Sequence, residues 1–195
     1  MRVPFTADFR GAESNVCKQR HDLQGIAVQD VAPEHVCLSI LELFRRRQVR
    51  AACGPVAGSG LLIGVDLVKD AAELEAAYDD ALGVTAAFNR NLIYNLNRLV
   101  GTDLQLADWA HHALFNRVES RIEMHLVAQR ELTVQWPGGQ RTFSQGERIH
   151  TENSYKWTVA GFSQLLREAG FTEPLVWTDA PQPETGRFAV MWARA

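Results

Sequence analysis

An α/β fold carrying an α+β insertion is what three stretches of this sequence predict. The run at 61–65 is short, almost wholly apolar and follows a glycine-rich turn, the pattern of a sheet strand covered on both faces. The stretch RIEMHLVAQRELTVQW alternates apolar and polar side chains along its whole length, the period of strands. Near the end, TVAGFSQLLREAGF has helical apolar spacing and is followed by two strand-like runs, PLVWTD and RFAVMWARA. One apolar strand, one helix and two terminal strands fit a single sheet. The segment at roughly 71–156 then reads as an insertion, with 58–70 and 157–195 forming the sheet on either side of it.

Residues 1–57 are the least patterned part. Up to about residue 34 neither a helical nor a strand period is sustained. HVCLSILELFRRRQVRAACG then places Val36, Ile40, Leu43 and Phe44 on one helical face, and Gly54-Pro55 ends that helix. After the apolar strand come a helical stretch around AAELEAAYDDA and a longer one, GVTAAFNRNLIYNLNRLVG. In the longer one Phe88, Leu92, Leu96 and Leu99 recur at three- and four-residue steps and Gly101 is the stop. In the alternating stretch Ile122, Met124, Leu126 and Ala128 share one face, followed by Leu132, Val134 and Trp136. WPGGQ is a turn, and RTFSQGERIHTENSYKW returns as the partner strand or strands. In the last helix Phe162, Leu165, Leu166 and Ala169 share a face, with Gly170 as its stop.

The 195 residues suffice for one sizeable core or one domain with an insertion. Apolar content of 46% and charged content of 22% are those of an ordinary soluble globular protein. A net charge of −3 gives no electrostatic case for nucleic acid or an acidic membrane, and the basic run at 45–50 reads as a solvated helix face. Cys17, Cys37 and Cys53 are odd in number and scattered, which points to a reducing cytoplasm rather than a disulfide framework. No apolar run reaches membrane-spanning length. Asp79-Asp80 and His111-His112 invite a metal reading, but adjacent helix positions point apart and no third ligand stands at useful spacing, so no metal is expected.

One pair stands out on chemical grounds. In RIHTENSYKW, Glu152 and Ser154 lie two apart on a strand and so on one face. A carboxylate that accepts hydrogen bonds beside a hydroxyl that donates or accepts suits a small ligand with two nitrogen atoms. Such a pair also suits an ordinary wet sheet surface.

LLIGVDLVKD, AYDDALGVTAAFNRN, RIEMHL, GERIHTENSYKW and FAVMWARA occur in this order, and together they closely resemble the C-terminal half of the histidine-specific, S-adenosylmethionine-dependent N-methyltransferases of ergothioneine biosynthesis. The resemblance spans roughly 58–195. It implies a partial Rossmann-like class I methyltransferase sheet with an α+β substrate-binding insertion. The implied activity is methylation of the α-amino group of L-histidine to give hercynine, with S-adenosylmethionine as cofactor. It further implies that Glu152 and Ser154 hold the substrate imidazole, that Met124 flanks it, and that Tyr78 binds the histidine carboxylate. Thr85 and Phe88 are similar to residues lining the same pocket. Methyl transfer needs a neutral amine aimed at the sulfonium methyl, so positioning rather than a covalent nucleophile is expected to supply the catalysis.

The resemblance stops short of the first 57 residues. A cofactor half would show a glycine-rich turn after a first strand and an acidic residue ending a second. Here the only GSG, 58–60, precedes its strand. A truncated or frame-shifted beginning is the expectation, and three readings stand: a histidine N-methyltransferase with an incomplete cofactor half, a non-catalytic histidine-binding or assembly lobe, and a gene remnant that does not fold stably. The third would leave the strand at 61–65 with an uncovered edge.

Overall fold

The computed structural model describes residues 47–54 and 58–195. The helical face of Val36, Ile40, Leu43 and Phe44, together with Cys17 and Cys37, lies outside the described residues. The described elements run, in chain order, α1 (Gln48–Ala52), β1 (Gly60–Asp66), α2 (Ala71–Tyr78), α3 (Val84–Val100), β2 (Trp109–Asn116), β3 (Arg121–Ala128), β4 (Leu132–Trp136), β5 (Gly139–Phe143), β6 (Arg148–Tyr155), α4 (Val159–Glu168), β7 (Leu175–Thr178) and β8 (Phe188–Arg194). They form a mixed α/β structure.

One sheet has the order β1-β8-β7 and is antiparallel throughout, with Ile63 opposite Met191 and Val176 also opposite Met191. Its inner face, including Val65, Ala189, Met191 and Ala193, packs on Phe162, Leu165 and Leu166 of α4. Thr158 caps α4 by accepting from the Gly161 N–H at 3.0 Å, and Gly170 follows its end in the left-handed region at φ 94°. The apolar run at 61–65 had suggested cover on both faces. Instead burial alternates along β1: Val65 is buried while Leu62 is 64% exposed. Leu175, Trp177, Phe188 and Val190 are exposed on the same sheet. A run of apolar residues thus arose from one buried face and one apolar open face.

The second sheet, β2-β3-β6, is also antiparallel, and β4-β5 is a hairpin packed beside it. Ile122, Met124, Leu126 and Ala128 of β3 are all buried, as the alternation predicts. Met124 and Ile122 pack with Leu74 of α2 and Ala113 of β2. Leu126 and Ala128 pack with Ile93 of α3 and with Trp109, Val134 and Phe143. On α3 the buried positions are Asn89 and Ile93, with Leu92 and Leu96 partly buried, while Phe88 and Leu99 are exposed. Gly101 closes α3 at φ 76°.

The chain leaves β1 at Asp66 and returns next to it after β6. Leu67 and Trp157 form a parallel bridge, and the Trp157 N–H donates to the Asp66 carbonyl at 3.0 Å. This crossing sets the two sheets side by side.

Candidate functional site

Lys156 sits at that crossing with a fully buried side chain. Its ammonium donates to Tyr78 Oη at 2.8 Å and Ser154 Oγ at 2.8 Å, and pairs with Asp66 Oδ2 at 2.9 Å. An ammonium has three N–H groups, and these three acceptors occupy them. The other Asp66 oxygen takes Lys69 Nζ at 2.6 Å. Burial works against ionisation of Asp66, but the hydrogen bonds from Lys156 and Lys69 outweigh it and hold its carboxyl below the usual range.

Tyr78 Oη and Ser154 Oγ are themselves 2.7 Å apart. Each accepts from Lys156, and one donates its proton to the other. One hydroxyl proton therefore remains to be offered to a ligand. If Tyr78 donates, Ser154 keeps it; if Ser154 donates, Tyr78 keeps it. The sequence reading gave each hydroxyl its own ligand, and in this network both can serve only if a ligand breaks the bond between them.

Glu152 lies on the same strand face as Ser154 and directly opposite Met124 in the ladder. It is half-buried, and among the described residues nothing hydrogen-bonds its carboxylate. Burial raises its pKa above the ordinary carboxylate value, opposed by the charge of Lys156. A β-bulge aims it. Met124 faces Glu152 but His125 faces His150, so Thr151 is the extra residue, and its buried hydroxyl donates to the Met124 carbonyl at 2.9 Å.

Tyr78 ends α2, whose start is capped by Asp70 accepting from the Ala72 and Glu73 N–H groups. It is held from behind by His111: Nε2–H donates to the Tyr78 carbonyl at 2.8 Å, while Nδ1 accepts from Asn89 at 3.0 Å. Asn89 also donates to the His125 carbonyl at 3.0 Å. Asp80, far from being a metal ligand, accepts from the Thr85 and Val84 N–H groups, and those bonds lower its pKa.

Tyr78 and Thr85 line an open cleft of about 470 Å³, together with Asp66, Lys69, Glu73 and Phe188. Of the six residues singled out in the sequence, Tyr78 and Thr85 line this cleft; Ser154 joins them through its hydrogen bond to Tyr78, and Glu152 and Met124 lie next to Ser154 on the same sheet face, outside the lining. Met124 is buried on the same sheet face as Glu152, packed with Leu74, Ala113 and Tyr78. Phe88 is 67% exposed on α3 and does not line the cleft. Asp66 and Lys156 were missed. A lysine two residues beyond Ser154 of the T-E-x-S run was the available signal, but nothing local distinguishes a buried lysine from a solvated one.

The glycine-rich turn at 58–60 does not supply the glycine approach of an S-adenosylmethionine cradle. The glycine-rich turn at 58–60 leads into β1, and a Cβ on Gly60 would lie 2.4 Å from the Ala193 carbonyl and 2.9 Å from the Trp192 ring. Glycine is needed there for packing against β8, not for the close approach of a cofactor.

A carboxylate, two hydroxyls and a buried ammonium thus meet where the two antiparallel sheets join. Residues 37–195 match the family described as histidine-specific methyltransferase, SAM-dependent. The chain belongs to that family. It is 43% identical to a histidine N-alpha-methyltransferase of Mycolicibacterium smegmatis over 124 residues, 63% of this chain and 39% of the relative. It is 41% identical to a histidine N-alpha-methyltransferase of Mycobacterium tuberculosis over 138 residues, 70% of this chain and 42% of the relative. An N-methyltransferase of Aspergillus flavus, imqF, is 24% identical over 80% of this chain and 41% of its own length. The chain spans about two fifths of the length of these curated relatives.

Proposed function

We propose that this chain binds L-histidine and serves its α-amino methylation to hercynine, a step of ergothioneine biosynthesis, with S-adenosylmethionine as the methyl donor. In this reading residues 71–156 are the substrate-binding insertion, and 58–70 with 157–195 are the end of a Rossmann-like class I sheet. The observation that carries it is the half-buried Glu152, opposite Met124 and beside the Tyr78–Ser154–Lys156 network. Glu152 accepts the imidazole N–H and Met124 backs the ring. The single spare hydroxyl proton goes to the second ring nitrogen from Ser154, or to the substrate carboxylate from Tyr78. A site of this kind rejects amino acids lacking the ring nitrogens, because its own polar groups would be left unpaired. Thr85 lines the approach, and Phe88 would join the pocket only by a movement of α3.

A second reading, a histidine-binding lobe without transfer chemistry, is favoured by the glycine-rich turn at 58–60, which packs on β8 instead of offering a cofactor approach. One pair of measurements separates the two. Calorimetry with L-histidine should give binding that Glu152→Ala weakens roughly 10- to 100-fold, and mass spectrometry with L-histidine and S-adenosylmethionine should give mono-, di- and trimethylated histidine. Binding without product favours the second reading. A folded chain that binds leucine as well as histidine overturns both.

A further inference from the structure

The face of β3 turned away from Met124 carries a second group of polar side chains. Glu123 and His125 are two apart on β3, and His150 stands across the ladder from His125 because of the bulge at Thr151. One candidate ligand atom from each of the three lies within 4.8 Å of the other two. The His125 ring is about nine-tenths buried, and neither of its nitrogens has a hydrogen-bond partner among the described residues. Its Nε2 is 3.4 Å from Glu123 Oε2. A buried, unsatisfied ring nitrogen is costly and calls for a partner.

We infer that Glu123, His125 and His150 form a binding site for a divalent transition-metal ion of the zinc class. Two imidazole nitrogens and a carboxylate oxygen are a donor set that zinc takes, with water completing the tetrahedron. Ligands about 2.1 Å from such an ion stand roughly 3.4 Å apart, the spacing that His125 and Glu123 already have. The groups behind the ligands are also in place. Glu123 Oε1 accepts from Arg121 at 2.7 Å and 2.8 Å and from Asn116 at 3.0 Å, which leaves Oε2 turned to His125. His150 stacks on His125 with centroids 4.8 Å apart, and its Nε2 is 3.2 Å from the Glu152 carbonyl. The positive charges of Arg121 and Arg148 oppose a cation, so the three ligands must outweigh them.

The test uses the full chain, freed of any affinity tag, stripped with a chelator and titrated with zinc chloride in a calorimeter. One ion per chain is expected, with affinity lowered at least about tenfold in both Glu123→Gln and His150→Gln. Cobalt(II) supplies a readout that needs no variant, since imidazole–carboxylate coordination at a tetrahedral site gives intense visible d–d bands. Folded wild-type chain that takes up no stoichiometric zinc and shows no such bands overturns the inference. So does binding that neither substitution weakens.

Discussion

The two three-stranded sheets share strand number and antiparallel pairing, yet β1-β8-β7 buries only apolar side chains, whereas β2-β3-β6 buries Thr151 and His125 and is followed directly by buried Lys156. The first sheet acts by area: Val65, Met191 and Ala193 remove apolar surface from water against α4. The second spends part of its interior on polar groups, and the bonds of Thr151 to the Met124 carbonyl and of Lys156 to Tyr78 and Ser154 bear on the proposed site. Stability and recognition are thus weighted differently in two sheets that a strand count would not distinguish.

This contrast can be broken most sharply from the first sheet. Leu166→Ala, which removes a fully buried side chain, should cost about 2–5 kcal/mol while leaving the histidine affinity of the folded fraction unchanged. Denaturant titration with parallel calorimetry would check both halves. A fall in affinity would mean that the sheets are mechanically coupled. Lys156→Met should cost about 3 kcal/mol, because it leaves Asp66 with Lys69 alone and removes a donor from both hydroxyls, and here stability and histidine binding should fall together. The same substitution should weaken the acid sensitivity that Asp66 confers. Its folded pKa lies below the unfolded one, so its contribution is present above about pH 4 and is lost as pH falls through the folded value.

Glu152→Ala should weaken L-histidine roughly 10- to 100-fold, the range for losing a hydrogen bond to a charged group. Its effect on stability has the opposite sign. Burial raises the folded pKa of Glu152, so the folded state holds that proton more tightly and is favoured at low pH, an advantage lost as pH rises through the folded value. Glu152→Gln should therefore hold or raise the melting temperature at pH 8 while lowering affinity. A drop in both would show the carboxylate to be structural. The smallest effect is expected at Thr158→Ala, about 1 kcal/mol for a lost helix cap, with binding unaffected.

The apolar stripe Phe162, Leu165, Leu166 and the glycine stops at 101 and 170 were legible because one periodicity and one backbone conformation set them. The face shared by Glu152 and Ser154 was legible for the same reason. Strand β2 was not. Trp109 and Ala113 are its buried positions, four apart like a helix stripe. The inward site between them is His111, whose polarity is satisfied by Asn89 and Tyr78 rather than by solvent. Buried Asn89 misled the reading of α3 in the same way, by placing an amide where the pattern sought the apolar Phe88. Lys156, Asp66 and the Glu123–His125–His150 group depend on contacts across 90 residues of chain in the first case and on a bulge in the second. Local spacing carries neither.

The extra residue at Thr151 works as a phase shift in β6. Run as a regular strand, the same sequence would put His150 on the same side as Glu152 and Ser154, and an imidazole of the protein's own would crowd the place meant for an imidazole from solution. With it, the strand addresses one side of the sheet before residue 151 and the other after it. A one-residue deletion there would restore a regular ladder with His150 and Glu152 still on opposite sides, whereas straightening the bulge with Thr151 kept in place would bring the two to one side.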